Sequence, residues 1–194
     1  MYLSPKHFTL FSQLSLLLFL FACKSESSIN HQAFKKEVSQ LKTLEDKTTY
    51  LDHIYTDFVE STKLSDQTMD LFGINSEEHL KQKKIYTKVA KESEGKINAF
   101  LNSFGYPSLM KLGRKAAFAP WVITYRSDNL KFKKSTFKYL YDAYVFGDID
   151  DELFLVYLRD MHFRLEKFDY NSHSNETTTE SIEAIMQLLK TDSW

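Results

Sequence analysis

The chain has 194 residues, a formal net charge of −1, and 43% hydrophobic and 15% aromatic residues, a composition that excludes a disordered chain. Its one cysteine excludes an intramolecular disulfide, a thiol–disulfide motif and a cysteine-based zinc site. Five glycines and three prolines are few, which argues for helices over strands and turns.

At the N-terminus, Lys6 precedes an apolar run from Phe8 to Phe21. The run is too short for a comfortable membrane span, which needs about 20 apolar residues, and has the length and flanks of a secretory signal. It ends in Leu20-Phe21-Ala22-Cys23, which resembles a bacterial lipobox with the cysteine at +1. The Cys23 thiol is expected to take a diacylglycerol as a thioether and to become the first residue of the mature chain. Lys24 at +2 is not the Asp of an inner-membrane retention signal, so the outer membrane is the expected address, reached through a lipid anchor. No nucleic-acid partner is expected there. The expected organisation is a signal peptide over 1–22, a polar tether over 23–30 and one helical domain over 31–194.

Helical spacing begins at Phe34, Val38 and Leu41. Leu51, Ile54, Tyr55, Phe58 and Thr62 form a second stripe. Ser65 is placed to cap a short helix that carries Asp66 and Gln67 and stops at Gly73. Ser76 is the next expected cap, with Glu77 and Glu78 at the dipole-favoured end. That helix puts Ile85, Val89, Ile97, Leu101 and Phe104 on one face. Gly105 and Pro107 stop it, with Gly105 expected in a left-handed cap.

Leu109 to Tyr125 is apolar on all sides and reads as a central helix, kinked or restarted at Pro120. Phe137, Leu140, Tyr141 and Tyr144 make another stripe, closed by Gly147. Acids at 148–152 lead into a helix with Phe154, Tyr157, Leu158, Met161, Leu165 and Phe168 inward. Asp169 to Thr178 reads as a polar loop. Ile182, Ile185, Met186 and Leu189 mark the last helix. The expected fold is one all-α globular domain of about seven or eight packed helices.

Charge is laid down in blocks. Lys81 to Lys138 carries 14 lysines and arginines against 3 acids, and acidic segments flank it on both sides. Pairing of these blocks within the fold is the favoured expectation, over a basic face for anionic lipid.

Metalloprotease, nucleophile-elbow, phosphate-loop and dinucleotide motifs are absent. Three polar clusters remain. Asp66-Gln67 reads most simply as a helix-start acid beside a solvated amide. Tyr125-Arg126-Ser127-Asp128 follows the central helix, where Arg126 can answer the helix dipole and Ser127 or Asp128 can cap the next helix. In Arg159 to Glu166, Asp160 pairs by spacing with Arg164 and His162 with Glu166, both i, i+4. One histidine with one glutamate is an incomplete zinc set, so no metal or other cofactor is expected.

The order of these landmarks, with Asn98 to Pro107, Gly113, Trp121 and Phe146 to Ile149 between them, resembles an uncharacterised bacterial family, domain of unknown function 6624. The resemblance spans about Ser65 to Phe168. It implies a helical fold and a convergence of Asp66, Gln67, Asp128 and Asp160 on one polar site. Arg126, the one cation beside them and leaving the end of the central helix, is expected to pair with Asp160 or Asp66. Tyr125 and Arg126 stand where the family has Gln and His, and Met161 where it has Arg. The family's Gly-Thr-Gln loop has no counterpart. These departures point to a non-catalytic binding or interaction module. The alternatives are a degenerate or active hydrolase of an envelope component, using Asp160 or Asp128 with Arg126 and His162, and an immunity or inhibitor lipoprotein.

Overall fold

The computed structural model describes residues 26–170 and 176–191. Cys23 and the signal segment lie outside them. The described residues form seven helices and no strand, an all-α fold.

Helix α1 spans Glu26–Ser39, so residues 26–30, read as part of a polar tether, are helical. Helix α2 runs unbroken through Leu44–Phe72. The expected short helix capped by Ser65 is therefore its last stretch. No glycine or proline interrupts it, and its hydroxyls bond backward along it instead of capping. The hydroxyls of Ser61 and Thr62 both donate to the Phe58 carbonyl. Thr43 is the cap in fact, in a reciprocal pair with Asp46.

Helix α3, Glu77–Phe104, starts at the expected Ser76 cap and antiparallels α2. Its inward face near the start is His79, while Ile85 is exposed; Ile97, Phe100 and Leu101 are buried further along. Gly105 ends it at φ 74° and ψ −166°. The φ is positive, but the residue is extended beyond it and is not in a left-handed helical cap.

Helix α4, Leu109–Arg126, breaks at Gly113, at φ 78° and ψ 167°. Pro120, where a kink was expected, sits buried inside the regular helix beyond the break. Glycine reaches that φ at no steric cost, so the chain turns there. The free N–H of Leu109 donates to the Asp148 carboxylate at 2.7 Å. Helices α5, Leu130–Val145, α6, Asp151–Glu166, and α7, Thr178–Leu189, complete the fold. Asn129, Asp150 and Thr177 cap them.

Two apolar clusters meet at α4. Phe34, Val38, Leu51, Ile54, Phe100, Ile123 and Phe132 belong to the first, built on α1 to α4 with the start of α5. Trp121, Leu140, Phe154, Leu158, Met161 and Ile185 belong to the second, built on α4 to α7. Tyr106 and Val122 pack against both.

The α2–α3 hairpin is longer than the body it packs on. The body reaches the level of Tyr86, which packs against the first apolar cluster and whose hydroxyl feels the Asp128 charge from the turn after α4. Beyond it, His79 Nδ1 faces the Ser65 carbonyl at 3.2 Å and ties the two helices together. Among the described residues, no hydrogen bond, ion pair or ring contact joins 67–85 to α4 through α7. The hairpin end is an arm about 15 Å long, ten residues at 1.5 Å each.

Candidate functional site

The polar residues are organised by the turn between α4 and α5. The Ser127 hydroxyl donates to Glu94 at 2.5 Å and accepts from the Asn129 N–H at 3.0 Å. The Asn129 amide also donates to Glu94, at 3.1 Å, while its carbonyl oxygen caps α5 at the Phe132 N–H. Ser127 is thus part of the turn and Asn129 is the cap, rather than Ser127 or Asp128.

One turn into α5 lies Lys133, whose side chain is 0% exposed. Its ammonium donates to the Tyr125 carbonyl at 2.6 Å and to Asp160 Oδ2 at 2.5 Å. Burial lowers its pKa from the ordinary lysine value, and the Asp160 carboxylate opposes that shift. The Tyr157 hydroxyl donates to the Lys133 carbonyl at 2.9 Å, and its burial raises its own pKa.

Asp160 is shared. Arg164 Nε donates to Oδ1 at 3.0 Å and to Oδ2 at 2.8 Å. Arg164 Nη1 also reaches Asp128 Oδ1 at 3.1 Å. Asp128 is 97% exposed, so that arm of the network is at the surface and the Lys133 end is in the core. Desolvation pulls the Arg164 pKa down, but the hydrogen bonds and charge of Asp160 outweigh it and hold the guanidinium charged.

The expected convergence is therefore real for Asp128 and Asp160, which Arg164 joins, and for Tyr125 through its carbonyl. The expected partner is wrong. Arg126 is exposed and makes no ion pair with a described residue, because it leaves α4 on the outer face. Asp66 and Gln67 are exposed at the base of the arm. Asp66 and Arg126 both bear on the Tyr86 hydroxyl, whose pKa is raised first by burial and then by Asp128.

His162 lies apart. It is 2% exposed, its Nδ1 faces the Phe168 carbonyl at 3.2 Å, and Phe168 and Tyr170 pack edge-on to it. The expected i, i+4 pair with Glu166 does not form, since the ring turns into the core. Among the described residues no group of three His, Cys, Asp or Glu could hold a metal ion.

Lys133 was missed as a site residue. Its signal was legible: it sits three, four and seven residues before Thr136, Phe137 and Leu140, on a buried stripe where a lysine requires a carboxylate. The basic block also pairs less than expected. Lys96 and Lys133 have acidic partners, whereas Lys81, Lys83, Lys84, Lys88 and Lys91 are exposed with no ion pair to a described residue.

Two grooves open elsewhere. One of about 740 Å³ lies between α5 and α7, against Tyr141, Tyr144, Ile182, Glu183 and Met186. The other, about 370 Å³, lies against Tyr55, Arg114, Lys115 and Phe118. Neither is lined by Asp128, Asp160 or His162. Comparison of the chain with family models, with curated proteins and with solved structures finds no match.

Proposed function

We propose that this protein is an outer-membrane lipoprotein, anchored through acyl chains on Cys23, whose helical domain works by binding and not by turnover. The anchor reading rests on Leu20-Phe21-Ala22-Cys23 after an apolar run. The observation that carries the binding reading is the closure of the acid–base residues on themselves. Both oxygens of Asp160 are taken, by Arg164 and by the fully buried Lys133. A general acid or base must be within reach of a substrate proton, and His162 turns its Nδ1 to a backbone carbonyl. The groove between α5 and α7 has the volume of a small-ligand site and an aromatic wall.

The test is incubation of purified protein with peptidoglycan, phospholipid and lipopolysaccharide, followed by mass spectrometry of released products. Wild type and Asp160→Asn should give the same product-free traces. A product released by wild type and lost in Asp160→Asn or His162→Gln would replace this reading with a hydrolase.

A further inference from the structure

The arm of α2 and α3 ends in a cluster of uncovered apolar side chains. Leu71, Phe72 and Ile74, within four residues of one another, are 75%, 56% and 58% exposed at its apex. Scattered exposed leucines need no explanation, but a contiguous cluster on a projecting element marks a contact surface.

The direction of the chain says what covers it. Lys47 lies over the Phe104 ring, so α2 begins beside the end of α3. The short connection over 40–43 therefore puts the end of α1 there too. Further up, the Phe34 ring packs on Gly95. Helix α1 thus runs parallel to α3, and its first residue points toward the arm. Eight residues separate Phe34 from Glu26, about 12 Å at 1.5 Å each, which sets Glu26 level with Thr87. The apex lies about 15 Å further on, at the start of α3. Residues 23–25 span at most about 10 Å when extended. The described fold therefore begins, at Glu26, on the arm's side, and an anchor three residues before it reaches short of the apex by roughly 5 Å or more.

Charge around the arm is balanced. Lys63, Lys81, Lys83 and Lys84 are exposed there, as are Asp66, Asp70, Glu77 and Glu78. Such a collar neither seeks nor avoids an anionic surface, and lysine stems can lie along acyl chains with their heads in water.

We propose that the apex, Leu71, Phe72 and Ile74, dips into the phospholipid leaflet that holds acylated Cys23. The domain then stands on two points, the acyl chains and the arm. This rests on the anchor reading above. The expected depth, roughly 5–10 Å below the Cys23 level, is that of an interfacial apolar element.

The test uses the full chain, processed in a Gram-negative host and placed in phosphatidylcholine vesicles. Ile74→Cys carries a nitroxide, since acylation leaves Cys23 no free thiol. Met110→Cys, at the opposite end and 92% exposed, carries it in a control. Flotation reports the anchor and power saturation reports depth. The label at 74 should gain oxygen accessibility and lose accessibility to an aqueous nickel chelate, unchanged in high salt, while the label at 110 stays aqueous. A floating protein with both labels equally aqueous overturns the proposal and leaves the anchor standing. Failure to float overturns both. Spin–spin broadening at 74 without oxygen access would assign the apex to a second copy and also overturn it.

Discussion

Changing Asp160 to Asn leaves the Lys133 ammonium in the core without its counter-charge. The wild-type contact is 2.5 Å from Nζ to Oδ2, and the lysine side chain is 0% exposed. Removing one partner of a buried pair costs about 3–5 kcal/mol, mostly because the other charge stays buried. Lys133 keeps the Tyr125 carbonyl at 2.6 Å, and an asparagine oxygen can still accept, so the lower end of that range is expected. In a domain of this size about 3 kcal/mol lowers the melting midpoint by roughly 6–12 °C. Circular dichroism at 222 nm reads it directly. Replacing the pair together, Lys133→Met with Asp160→Leu, should recover part of the loss, because apolar groups need no partner. An Asp160→Asn midpoint equal to wild type would refute the reasoning, for the ammonium would then not depend on that carboxylate.

Gly95→Ala should destabilise by about 1–3 kcal/mol, since a Cβ there runs into the Phe34 ring, and faster hydrogen exchange confined to α1 would locate the effect. Gly105→Ala should cost about 1 kcal/mol in a denaturant titration, because its φ of 74° is unfavourable for alanine. Arg126→Ala, exposed and unpaired with any described residue, should leave the midpoint within about 0.5 kcal/mol of wild type. The capping carboxylates give an acid limb. Hydrogen bonds from Thr43 and Thr177 hold Asp46 and Glu180 below their ordinary values of 3.8 and 4.5. Their contribution is present above those values and is lost as pH falls through the lowered ones. Because the Thr43 and Thr177 backbone N–H groups are the main cause, Asp46→Asn and Glu180→Gln, which remove the titrating carboxylates, should flatten stability against pH in that window. Lys133 acts at the other extreme. Its folded pKa is lowered, so between that value and 10.5 the unfolded chain binds the extra proton and stability rises with pH, a rise Lys133→Met should remove.

Most helices were legible from period and punctuation. Ser76, Gly73 and Gly105 mark ends that the chain uses. Leu140, Phe154, Tyr157, Leu158, Met161, Ile182, Ile185 and Leu189 face inward as their period predicts, whereas Tyr141 is exposed and Phe168, expected inward, lies exposed beyond the end of α6 at Glu166. The misreadings share one cause: a residue type with two local uses. Ser65 can cap a helix or sit within one, and within α2 it is buried and gives its carbonyl to the His79 ring. Gly113 and Pro120 can both break a helix, and only packing on both sides of α4 decides that the break falls at the glycine. The site divides the same way. Asp128 and Asp160 belong together, but which cation joins them depends on helix phase and on the crossing of α5 with α6. Arg126 falls on the outer face, and Arg164 and Lys133 on the facing ones. The arm's exposure was hidden because Leu71, Phe72 and Ile74 look like core residues until the length of α2 is known.

The anchor is tested most directly by labelling cells with radioactive palmitate and comparing wild type with Cys23→Ala. Wild type should carry label, partition with the outer membrane and migrate as the processed chain, while Cys23→Ala should be unlabelled and remain a precursor. Equal labelling of the two, or processed wild type with a free thiol at its N-terminus, would contradict the account.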